Sequence, residues 1–490
     1  MQQGRAGRQP TFYWHDYETW GERPAQDRPS QFAGVRTDAD LTPVGEPLMI
    51  YCRPPADLLP KPEACLVTGL APQKAEAEGL CEAAFMARIA AELGQPGTCA
   101  VGYNSIRFDD EVTRYGLYRN FHDPYEREWK NGNSRWDIID MVRMTRTLRP
   151  EGIEWPDYED GSPCFRLEKL SEANGLAHDA AHDALSDVYA TIALARLVKQ
   201  RQPKLFDYAF KLRDKLFVAA QLDIDALKPV LHFSSMFAGA QGNCALMLPL
   251  AFHPSNKNSV IAYNLAFDPE PLLTESAEDL AQRLFSKSED LPEGVERLAL
   301  KEIHLNKSPM VVPPAMLDDA TAERIGQDKD KCRQHWQRFY QLSREEREQL
   351  LKKLAAIYQR DEFVGSSDPE QQLYQGFFTD QDRALMVQVR AADPAELGAR
   401  QWDFHDPRLP ELLWRYRARN FPHTLSAEES ERWRAFCYRR LTDAEAGASV
   451  VAEEFHARLS VLRQEPLSSS KLALLDQVEA YARQLIEAAR

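Results

Sequence analysis

Two carboxylates stand two residues apart near the start of the chain, in the aromatic run TFYWHDYETWGE at residues 11–22. The aromatic residues predict a β-strand over residues 11–20. Because alternate residues of a strand face the same side, Asp16 and Glu18 project together. Neighbouring carboxylates repel each other unless one is protonated or a cation lies between them, and Mg²⁺ prefers oxygen ligands. The pair alone leaves two readings open, a divalent-metal site and a strand face with solvated acids.

Three further residues could take part in the same chemistry. GYNSIRFDDEV (102–112) places Asp109 where a predicted strand gives way to a helix, as active-site residues often lie in α/β folds. The alternative role for Asp109 is a helix N-cap. AHDALSDVYATIALARLVKQ (181–200) predicts an amphipathic helix with His182 at its start and Asp187 inside it. An aspartate beside an apolar helix face is costly without a partner, whereas His182 alone fits an ordinary surface position.

Length and composition limit the class of protein. A chain of 490 residues predicts two or three domains, and its formal charge of −15 argues against indiscriminate nucleic-acid binding while leaving room for a local basic groove. The eight cysteines contain no CxxC pair, which favours reduced thiols in a cytosolic protein. The polar N-terminus and the absence of a run of about 18 apolar residues predict a soluble cytoplasmic protein without a membrane-spanning helix.

The pattern of apolar, polar and turn-forming residues changes along the chain. Strands followed by helices predict an α/β region that ends near residue 200. Short strand-like runs separated by turn-rich segments over 228–265 predict a small β-barrel or sheet. Residues 316–358 are charged and helical in pattern, and residues 371–490 are helical almost throughout.

One segment, residues 114–149, combines aromatic and basic side chains. It holds eight basic and five acidic residues. Its aromatic residues are Tyr115, Tyr118, Phe121, Tyr125, Trp129 and Trp136. Stacking aromatics with phosphate-neutralising bases are typical of single-strand binding, although about half of these rings are expected in the core.

The ordered set D-x-E, an aspartate about 90 residues later and H-x₄-D resembles the DEDDh 3′–5′ exonuclease superfamily. Longer stretches narrow the resemblance to the bacterial exonuclease I family. They are HDYETWG, GYNSIRFDDEVTR, DPYEREW, NSRWDIID, LRPEGIEWP, FRLEKLSEANG, AHDALSDVYATIA, RQPKLFDY, LYQGFF and RARNFP. The resemblance runs from residue 12 into the C-terminal helices and is looser in the last third.

The family resemblance implies an α/β fold with three domains. An RNase H-like DEDDh exonuclease domain is expected over residues 11–201. An SH3-like β-barrel domain with helical insertions is expected over 202–358, and a C-terminal helical domain over 359–490. In the family the second and third domains close over the nuclease cleft.

The resemblance also implies a function. It is that of an exodeoxyribonuclease that degrades single-stranded DNA processively in the 3′ to 5′ direction, releases 5′-mononucleotides and serves DNA repair and recombination. Asp16, Glu18 and Asp187 are expected to hold the tighter of two Mg²⁺ ions, and Asp109 to help place the second; Mn²⁺ is expected to substitute. His182, with an ordinary pKa near 6.5, suits the role of general base.

Further residues match the family's substrate contacts and partner site. The expected substrate contacts are Glu18, Arg166, Arg114, Tyr125, Trp129, Arg143, Lys215, Asn258, Tyr374 and Phe377. Arg166 could instead form a surface ion pair. Arg149 and Tyr208 resemble part of the site for the acidic tail of single-strand DNA-binding protein, although Arg149 could equally bind phosphate. The protein is expected to be a monomer.

The last third of the chain is expected to hold the strand rather than to cleave it. The bases of RYRARNFP (415–422) and the aromatics of LYQGFF (373–378) are taken as strand contacts. A chain that ends near Phe363 is therefore expected to cleave short oligonucleotides without processivity.

Two other functions remain as alternatives. The first is an exoribonuclease that trims RNA 3′ ends, which the long C-terminal region disfavours. The second is an inactive single-strand-binding scaffold, which the presence of all five site residues disfavours.

Overall fold

The computed structural model describes residues 10–177, 183–359 and 365–490. The chain divides into two compact units. The first unit contains residues 1–134, 178–192 and 364–490, and the second contains residues 135–177 and 193–363. No helix in the described part of the chain is both long and apolar enough to cross a membrane.

The strands occupy two regions of the chain, before residue 140 and between residues 230 and 312. They are Thr11–Thr19 (β1), Pro29–Thr37 (β2), Leu48–Tyr51 (β3), Thr98–Gly102 (β4), Ser134–Asp137 (β5), Val230–Phe233 (β6), Cys244–Phe252 (β7), Ser259–Asn264 (β8), Leu300–His304 (β9) and Met310–Val312 (β10).

The α-helices lie between the strands and fill the C-terminal part of the chain. They are Pro62–Thr68 (α1), Pro72–Glu78 (α2), Glu82–Leu93 (α3), Asp109–Arg119 (α4), Ile139–Leu148 (α5), Leu167–Ala173 (α6), Ala184–Arg201 (α7), Pro203–Lys211 (α8), Lys215–Gln221 (α9), Glu270–Thr274 (α10), Ala277–Phe285 (α11), Asp319–Arg324 (α12), Lys329–Tyr340 (α13), Arg344–Ile357 (α14), Asp380–Ala391 (α15), Arg408–Asn420 (α16), Ala427–Thr442 (α17), Ala452–Leu462 (α18) and Ser469–Ala489 (α19).

The first unit contains four strands in the order β3-β2-β1-β4. β1 pairs antiparallel with β2 and parallel with β4, so this sheet is mixed. The strand predicted over residues 11–20 is confirmed as β1. Its aromatic residues Tyr13 and Tyr17 pack with Phe32 of β2 and Phe85 of α3 in a buried core. This core fixes one face of β1, so that the opposite face is available for polar side chains.

The second unit contains an antiparallel sheet in the order β10-β6-β7-β8-β9. The strand-like runs predicted between residues 228 and 265 are confirmed as β6, β7 and β8. β9 and β10 were not predicted, because charged residues interrupt the apolar pattern of β9 and β10 has only three residues. All four residues of β6 are buried, as expected for the interior strand of a small sheet.

The C-terminal helices complete the core of the first unit. Trp20 and Leu59 from the N-terminal region pack in one cluster with Trp414 and Phe455. A second cluster joins Tyr118 and Phe121 of the α4 region to Leu373 and Tyr416, among other residues. The C-terminal region therefore stabilises the N-terminal region, in addition to any role in holding a strand.

The expectation that the bases of RYRARNFP contact a strand is wrong for its three internal arginines. Arg415, Arg417 and Arg419 lie on α16, and their side chains are 6–9% exposed. They pair with Asp368 (2.6 Å), Glu429 (2.7 Å) and Asp57 (2.9 Å), respectively. Their charge is thus used inside the first unit, because packing of α16 buries the guanidinium groups against acids from distant segments.

Candidate active site

Three carboxylates form what we call the carboxylate cluster: Asp16 and Glu18 on β1, and Asp187 on α7. One carboxylate oxygen from each lies within 4.8 Å of the other two, and all three residues are half-buried. Within residues 10–177, 183–359 and 365–490, this is the one group of three or more His, Cys, Asp or Glu side chains with such geometry. The structure therefore brings together the D-x-E pair and the aspartate of H-x₄-D.

Asp109 is the first residue of α4 and is 5% exposed. Its Oδ1 accepts a hydrogen bond from the backbone N–H of Tyr17, at 3.1 Å. Tyr17 separates Asp16 from Glu18 along β1, so Asp109 is held beside the cluster by the strand itself. The N-cap position of α4 is occupied by Phe108, and Asp109 is the first helical residue, which argues against the N-cap role that the sequence left open.

Among the described residues, the causes that shift the pKa values of Asp16 and Glu18 are burial and neighbouring acids. Desolvation, followed by the charges of Asp109 and Glu18, raises the pKa of Asp16 well above its ordinary value. Desolvation, followed by the charges of Asp187 and Asp109, raises the pKa of Glu18 to about 8. Hard divalent cations prefer such clustered oxygen ligands, and their charge would remove the repulsion. The residues present thus fit a metal-ion site.

Two residues near the cluster were not predicted. Asp183, just before α7, adds to the charges that raise the pKa values of Asp16 and Glu18. Gln31 lies opposite Glu18 in the β1–β2 register and is 4% exposed. Its Nε2 donates to Asp183 Oδ1 (3.2 Å), and its Oε1 accepts from the backbone N–H of Ala184 (3.4 Å). Gln31 thereby connects β2 to the start of α7.

The sequence contains a signal for Asp183 but none for Gln31. Asp183 is visible in the motif AHDALSD, next to the expected histidine. Gln31 has no local signal, because its role depends on cross-strand register. His182 lies outside the described residues.

Arg114 of α4 is the centre of a buried polar network. It is 7% exposed, and its guanidinium pairs with Glu128 through two hydrogen bonds of 2.7 and 2.9 Å. It also binds Glu111 (2.8 Å) and the Tyr374 hydroxyl (3.0 Å). That hydroxyl donates to Glu111 at 2.5 Å. Arg114 therefore connects α4 to the LYQGFF segment.

Exposed aromatic rings surround this network. Tyr374 and Phe377 are 56% and 78% exposed, and Trp129 is 64% exposed. The rings of Tyr125 and Phe377 meet edge to face at 5.6 Å, and the Arg114 guanidinium lies 5.4 Å from the Tyr125 ring centre. Accessible aromatics that lie against one another, as Tyr125 and Phe377 do, are typical of a binding surface.

The other aromatic residues of segment 114–149 lie in the core, which was the alternative to a role in binding. Tyr115, Tyr118, Phe121 and Trp136 are all buried. Tyr125 and Trp129 are therefore the two rings of that set with accessible surface, in agreement with the expectation that about half belong to the core.

Four expected contacts lie in the second unit. Arg143 pairs with Asp140 (2.5 Å) and lies over the Phe165 ring. Arg166 has a side chain that is 58% exposed and pairs with Glu168 at 2.7 Å, which is the surface ion pair that the sequence left open. Lys215 donates a hydrogen bond to the side-chain oxygen of Asn258, so the structure brings these two residues together.

Arg149 and Tyr208 line the same cavity in the second unit. It has a volume of about 490 Å³, and most of its other lining residues are apolar, including Leu148 and Met316. The Tyr208 hydroxyl donates to the backbone carbonyl of Val311 at 3.0 Å. An apolar cavity with an arginine in its wall suits a ligand that carries both an apolar side chain and a carboxylate.

Comparison with family models assigns a class to this fold and site. The model described as "Exonuclease" matches residues 13–195, which include every member of the carboxylate cluster. The models of the exonuclease I SH3-like domain and of the exonuclease I C-terminal domain match residues 213–360 and 367–485. The fold is thus an exonuclease domain followed by an SH3-like domain and a C-terminal domain, as expected, and the protein is an exonuclease.

Similar individual proteins show to which family of exonucleases the chain belongs. The exodeoxyribonuclease I of Haemophilus influenzae is 44% identical over 479 residues, which cover 97% of this chain and 99% of the relative. That of Escherichia coli is 44% identical, with 98% of both chains covered. The chain therefore belongs to the exonuclease I family.

Solved structures of the same family share the fold. The exonuclease I of Methylocaldum szegediense has a TM-score of 0.92 at 51% identity, with coverage of 97% of this chain and 100% of that one. The E. coli exonuclease I in complex with a dA16 oligonucleotide has a TM-score of 0.92 at 44% identity and the same coverage. A zinc-bound form of the E. coli complex with single-stranded DNA has a TM-score of 0.92 at 43% identity, covering 98% of this chain and 100% of that one.

Proposed function

We propose that the protein is an exodeoxyribonuclease that degrades single-stranded DNA processively from the 3′ end and releases 5′-mononucleotides. The observation that carries this proposal is the carboxylate cluster, whose raised pKa values call for bound cations. The complexes of the E. coli relative with oligonucleotides support the choice of single-stranded DNA.

The proposed chemistry is hydrolysis of the terminal phosphodiester. Asp16, Glu18 and Asp187 hold one divalent ion, and Asp109 helps to place a second. When bound there, such ions supply positive charge beside the scissile phosphate and lower the pKa of the attacking water. The water oxygen bonds to phosphorus while His182 accepts its proton and the P–O3′ bond breaks; the 3′ oxygen leaves with the shortened strand and takes a proton from solvent.

We propose Mg²⁺ as the natural metal, with Mn²⁺ as a substitute. Both are small cations that carboxylate oxygens bind well. The zinc-bound form of the E. coli relative supports a divalent-metal site of this type without selecting the metal.

Aromatic and basic residues are proposed to contact the strand. In the first unit, Tyr125, Trp129, Tyr374 and Phe377 offer rings on which bases can stack, and Glu18 contacts the terminal nucleotide. Arg114 contributes through the rings that it holds, since Glu111 and Glu128 already occupy its guanidinium. The proposed contacts of the second unit are Arg143, Arg166, Lys215 and Asn258.

The domain limits and the setting are proposed as follows. The exonuclease domain spans residues 11–201, the SH3-like domain 202–358 and the C-terminal helical domain 359–490. The protein acts as a monomer in the cytoplasm, in DNA repair and recombination. All eight cysteines are free thiols, which supports a reducing compartment.

The apolar cavity with Arg149 and Tyr208 is proposed to bind the acidic C-terminal tail of single-strand DNA-binding protein. Arg149 would pair with a carboxylate of the tail, and the apolar wall would receive its side chain. Fluorescence anisotropy with a labelled tail peptide tests this proposal. Arg149→Ala should weaken binding at least about tenfold, as expected for loss of a charge-assisted contact, and unchanged affinity would contradict the assignment.

A cleavage assay separates the proposed function from its alternatives. Single-stranded DNA, duplex DNA and RNA, each labelled at the 5′ end, would be incubated with the protein in Mg²⁺ and in EDTA. The proposal requires Mg²⁺-dependent shortening of single-stranded DNA from its 3′ end. Equal or faster shortening of RNA would favour the exoribonuclease, and binding without cleavage would favour the inactive scaffold.

Processivity needs a separate measurement. Single-turnover digestion of a long labelled strand, with excess unlabelled trap, should carry each engaged strand to completion. Release of partly digested strands after few cleavages would contradict processive action while leaving the exonuclease assignment intact.

A further inference from the structure

A second polar cavity lies in the first unit, apart from the carboxylate cluster. It has a volume of about 220 Å³ and lies against the C-terminal part of α3 and α4. Its charged and titratable lining residues are His122, Asp123, Glu126, Arg127, Lys130 and Arg390. No role described above uses these side chains.

Arg127 is the most deeply buried of the three basic residues, at 6% exposure. Its Nη2 donates to Asp110 at 2.6 Å. Its Nε and Nη1 are buried and make no hydrogen bond to any residue within the described ranges. Asp110 and, at 3.8 Å, Glu128 balance the charge of Arg127, but buried N–H groups of native proteins are nearly always hydrogen-bonded, and Nε and Nη1 lack an acceptor among the described residues. An acceptor from outside the chain is therefore expected.

The two acids of the cavity are already engaged. Asp123 Oδ1 accepts two backbone N–H groups at 2.8 and 3.0 Å, and its other oxygen pairs with Arg383 at 3.4 Å. Glu126 pairs with Lys130 at 2.8 Å. Within the described part of the chain, neither acid forms an ion pair, within 4.0 Å, with Arg127 or Arg390.

Arg390 adds a second cation to the cavity and, unlike Arg127, has no carboxylate partner among the described residues. One of its Nη groups donates to the backbone carbonyl of Phe121, and no carboxylate of the described residues lies within ion-pair distance. Desolvation lowers the pKa of Arg390, as expected for a partly buried guanidinium without a counter-ion. Desolvation, followed by the charge of Arg390, lowers the pKa of His122 to about 3, so this ring is neutral at neutral pH.

We propose that this cavity binds a phosphate group through Arg127 and Arg390. The planar guanidinium offers paired N–H donors that match phosphate oxygens, and charge-assisted hydrogen bonds of this kind are strong. A space of about 220 Å³ corresponds to roughly seven water molecules, which leaves room for a phosphate group. The phosphate belongs either to a free mononucleotide or to a nucleic-acid strand.

Isothermal titration of the full-length protein with inorganic phosphate tests the site. Divalent cations are left out, so that phosphate cannot bind through a metal at the carboxylate cluster. The unaltered protein should show saturable binding. Arg390→Gln should weaken it about tenfold or more, the loss expected for one charge-assisted interaction. The matched control is Arg383→Gln, which removes an arginine that pairs with Asp123 but does not line the cavity, and which should bind as the unaltered protein does.

A second variant tests the geometry of the site. Arg127→Lys retains a positive charge for Asp110 but loses the planar guanidinium, and should weaken phosphate binding by a similar factor. Thermal unfolding of each variant shows whether it is folded. The proposal is overturned by the lack of saturable phosphate binding in the unaltered protein, or by equal affinities in Arg390→Gln and Arg383→Gln; water would then be the acceptor.

Two further titrations identify the source of the phosphate group. If Arg390→Gln weakens the binding of thymidine 5′-monophosphate but not that of oligothymidylate, the site takes a free mononucleotide. If Arg390→Gln weakens the binding of oligothymidylate by the same factor as the binding of inorganic phosphate, the site takes a phosphate of a strand. Either result supports the site, and neither depends on the proposed nuclease activity.

Discussion

The first unit contains two groups of acids whose environments differ in one respect, the presence of arginines. In the carboxylate cluster, the charges from described residues that shift the pKa values of Asp16 and Glu18 are all acidic, and both values are raised. The second group, which we call the arginine network, comprises Asp57, Asp368 and Glu370 with Arg28, Arg415, Arg419 and Arg440.

Arginines reverse the effect of burial in the network. Burial alone would raise the pKa of Asp57, but Arg419 and Arg440 outweigh it and lower that pKa to about 2. Glu370 is 2% exposed, and its pKa lies well below its ordinary value because Arg419 and Arg28 outweigh desolvation. Buried acids that are matched by arginines serve architecture, whereas acids gathered without them indicate a site for an external cation.

The largest expected effect is the loss of cleavage when the carboxylate cluster is broken. Asp16→Asn should lower the cleavage rate at least about a thousandfold, or about 4 kcal/mol of transition-state stabilisation, because a metal ligand is lost. Without metal the same variant should be at least as stable as the unaltered protein, since one repelling charge is gone. Cleavage assays and urea unfolding measure the two effects.

The control for this prediction is Asp380→Asn, at an acid whose side chain is 98% exposed. It should cleave at the normal rate. Normal cleavage by Asp16→Asn would show that the cluster is not the metal site.

Breaking the arginine network should have the opposite consequence for stability. Glu370→Gln removes the nearest carboxylate partner of Arg28 and one of the two carboxylate partners of Arg419, and should lower the free energy of unfolding by about 3 kcal/mol. The loss is at the lower end of the range for buried pairs, because Asp57 and Asp368 remain nearby. Urea denaturation measures it, with Glu289→Gln, at an exposed acid, as the control. Equal midpoints for the two variants would contradict a structural role of the network.

The two groups should respond to pH in different windows. Glu18 has a pKa of about 8 in the folded chain against 4.5 for an ordinary glutamate, so the folded protein binds more protons between these values. The free energy of unfolding of the metal-free protein should therefore fall as the pH rises from about 4.5 to 8. Asp57, with its lowered pKa, contributes stability above about pH 3.8 that is lost as the pH falls towards 2.

Urea unfolding across about pH 2–9, with and without saturating Mn²⁺ in the upper window, separates the contributions of Asp57 and Glu18. Bound cation should flatten the dependence in the upper window, since it replaces the shared protons. The same slope with and without metal would argue that the cluster does not bind the ion.

The smallest predicted effect concerns the Tyr374 hydroxyl, which joins Arg114 and Glu111. Tyr374→Phe keeps the ring but removes this contact, and should raise KM for single-stranded DNA about three- to tenfold, the value of one hydrogen bond, with little change in kcat. Tyr340→Phe, at a tyrosine that is also 56% exposed, is the matched control. Equal KM values for both variants would show that the Tyr374 hydroxyl does not contribute to binding of the strand.

The fold also changes what a truncation near residue 363 should do. Trp414 and Tyr416 of the removed part pack in cores shared with Trp20 and Phe121. A shortened chain would expose these apolar surfaces, so loss of folding is expected before loss of processivity can be seen.

The amino-acid sequence was sufficient for the local chemistry. The alternation of a strand places Asp16 and Glu18 on one face, and the motif order identifies Asp109 and Asp187 as their companions. The long runs of family-like sequence predicted the three-part fold. These features are visible because they depend on residues a few positions apart or on motifs that stand intact in the chain.

Only the tertiary structure decided which charges neutralise each other. Arg419 and Asp57 are 362 positions apart, yet they form a buried ion pair, while the arginines of RYRARNFP looked free in the sequence. Gln31 reaches Asp183 through cross-strand register, and Tyr374 meets Arg114 across 260 positions. The partner of a charged side chain is set by long-range packing, which local periodicity does not encode. The same packing brings the acids of the carboxylate cluster together at a site that suits an external cation.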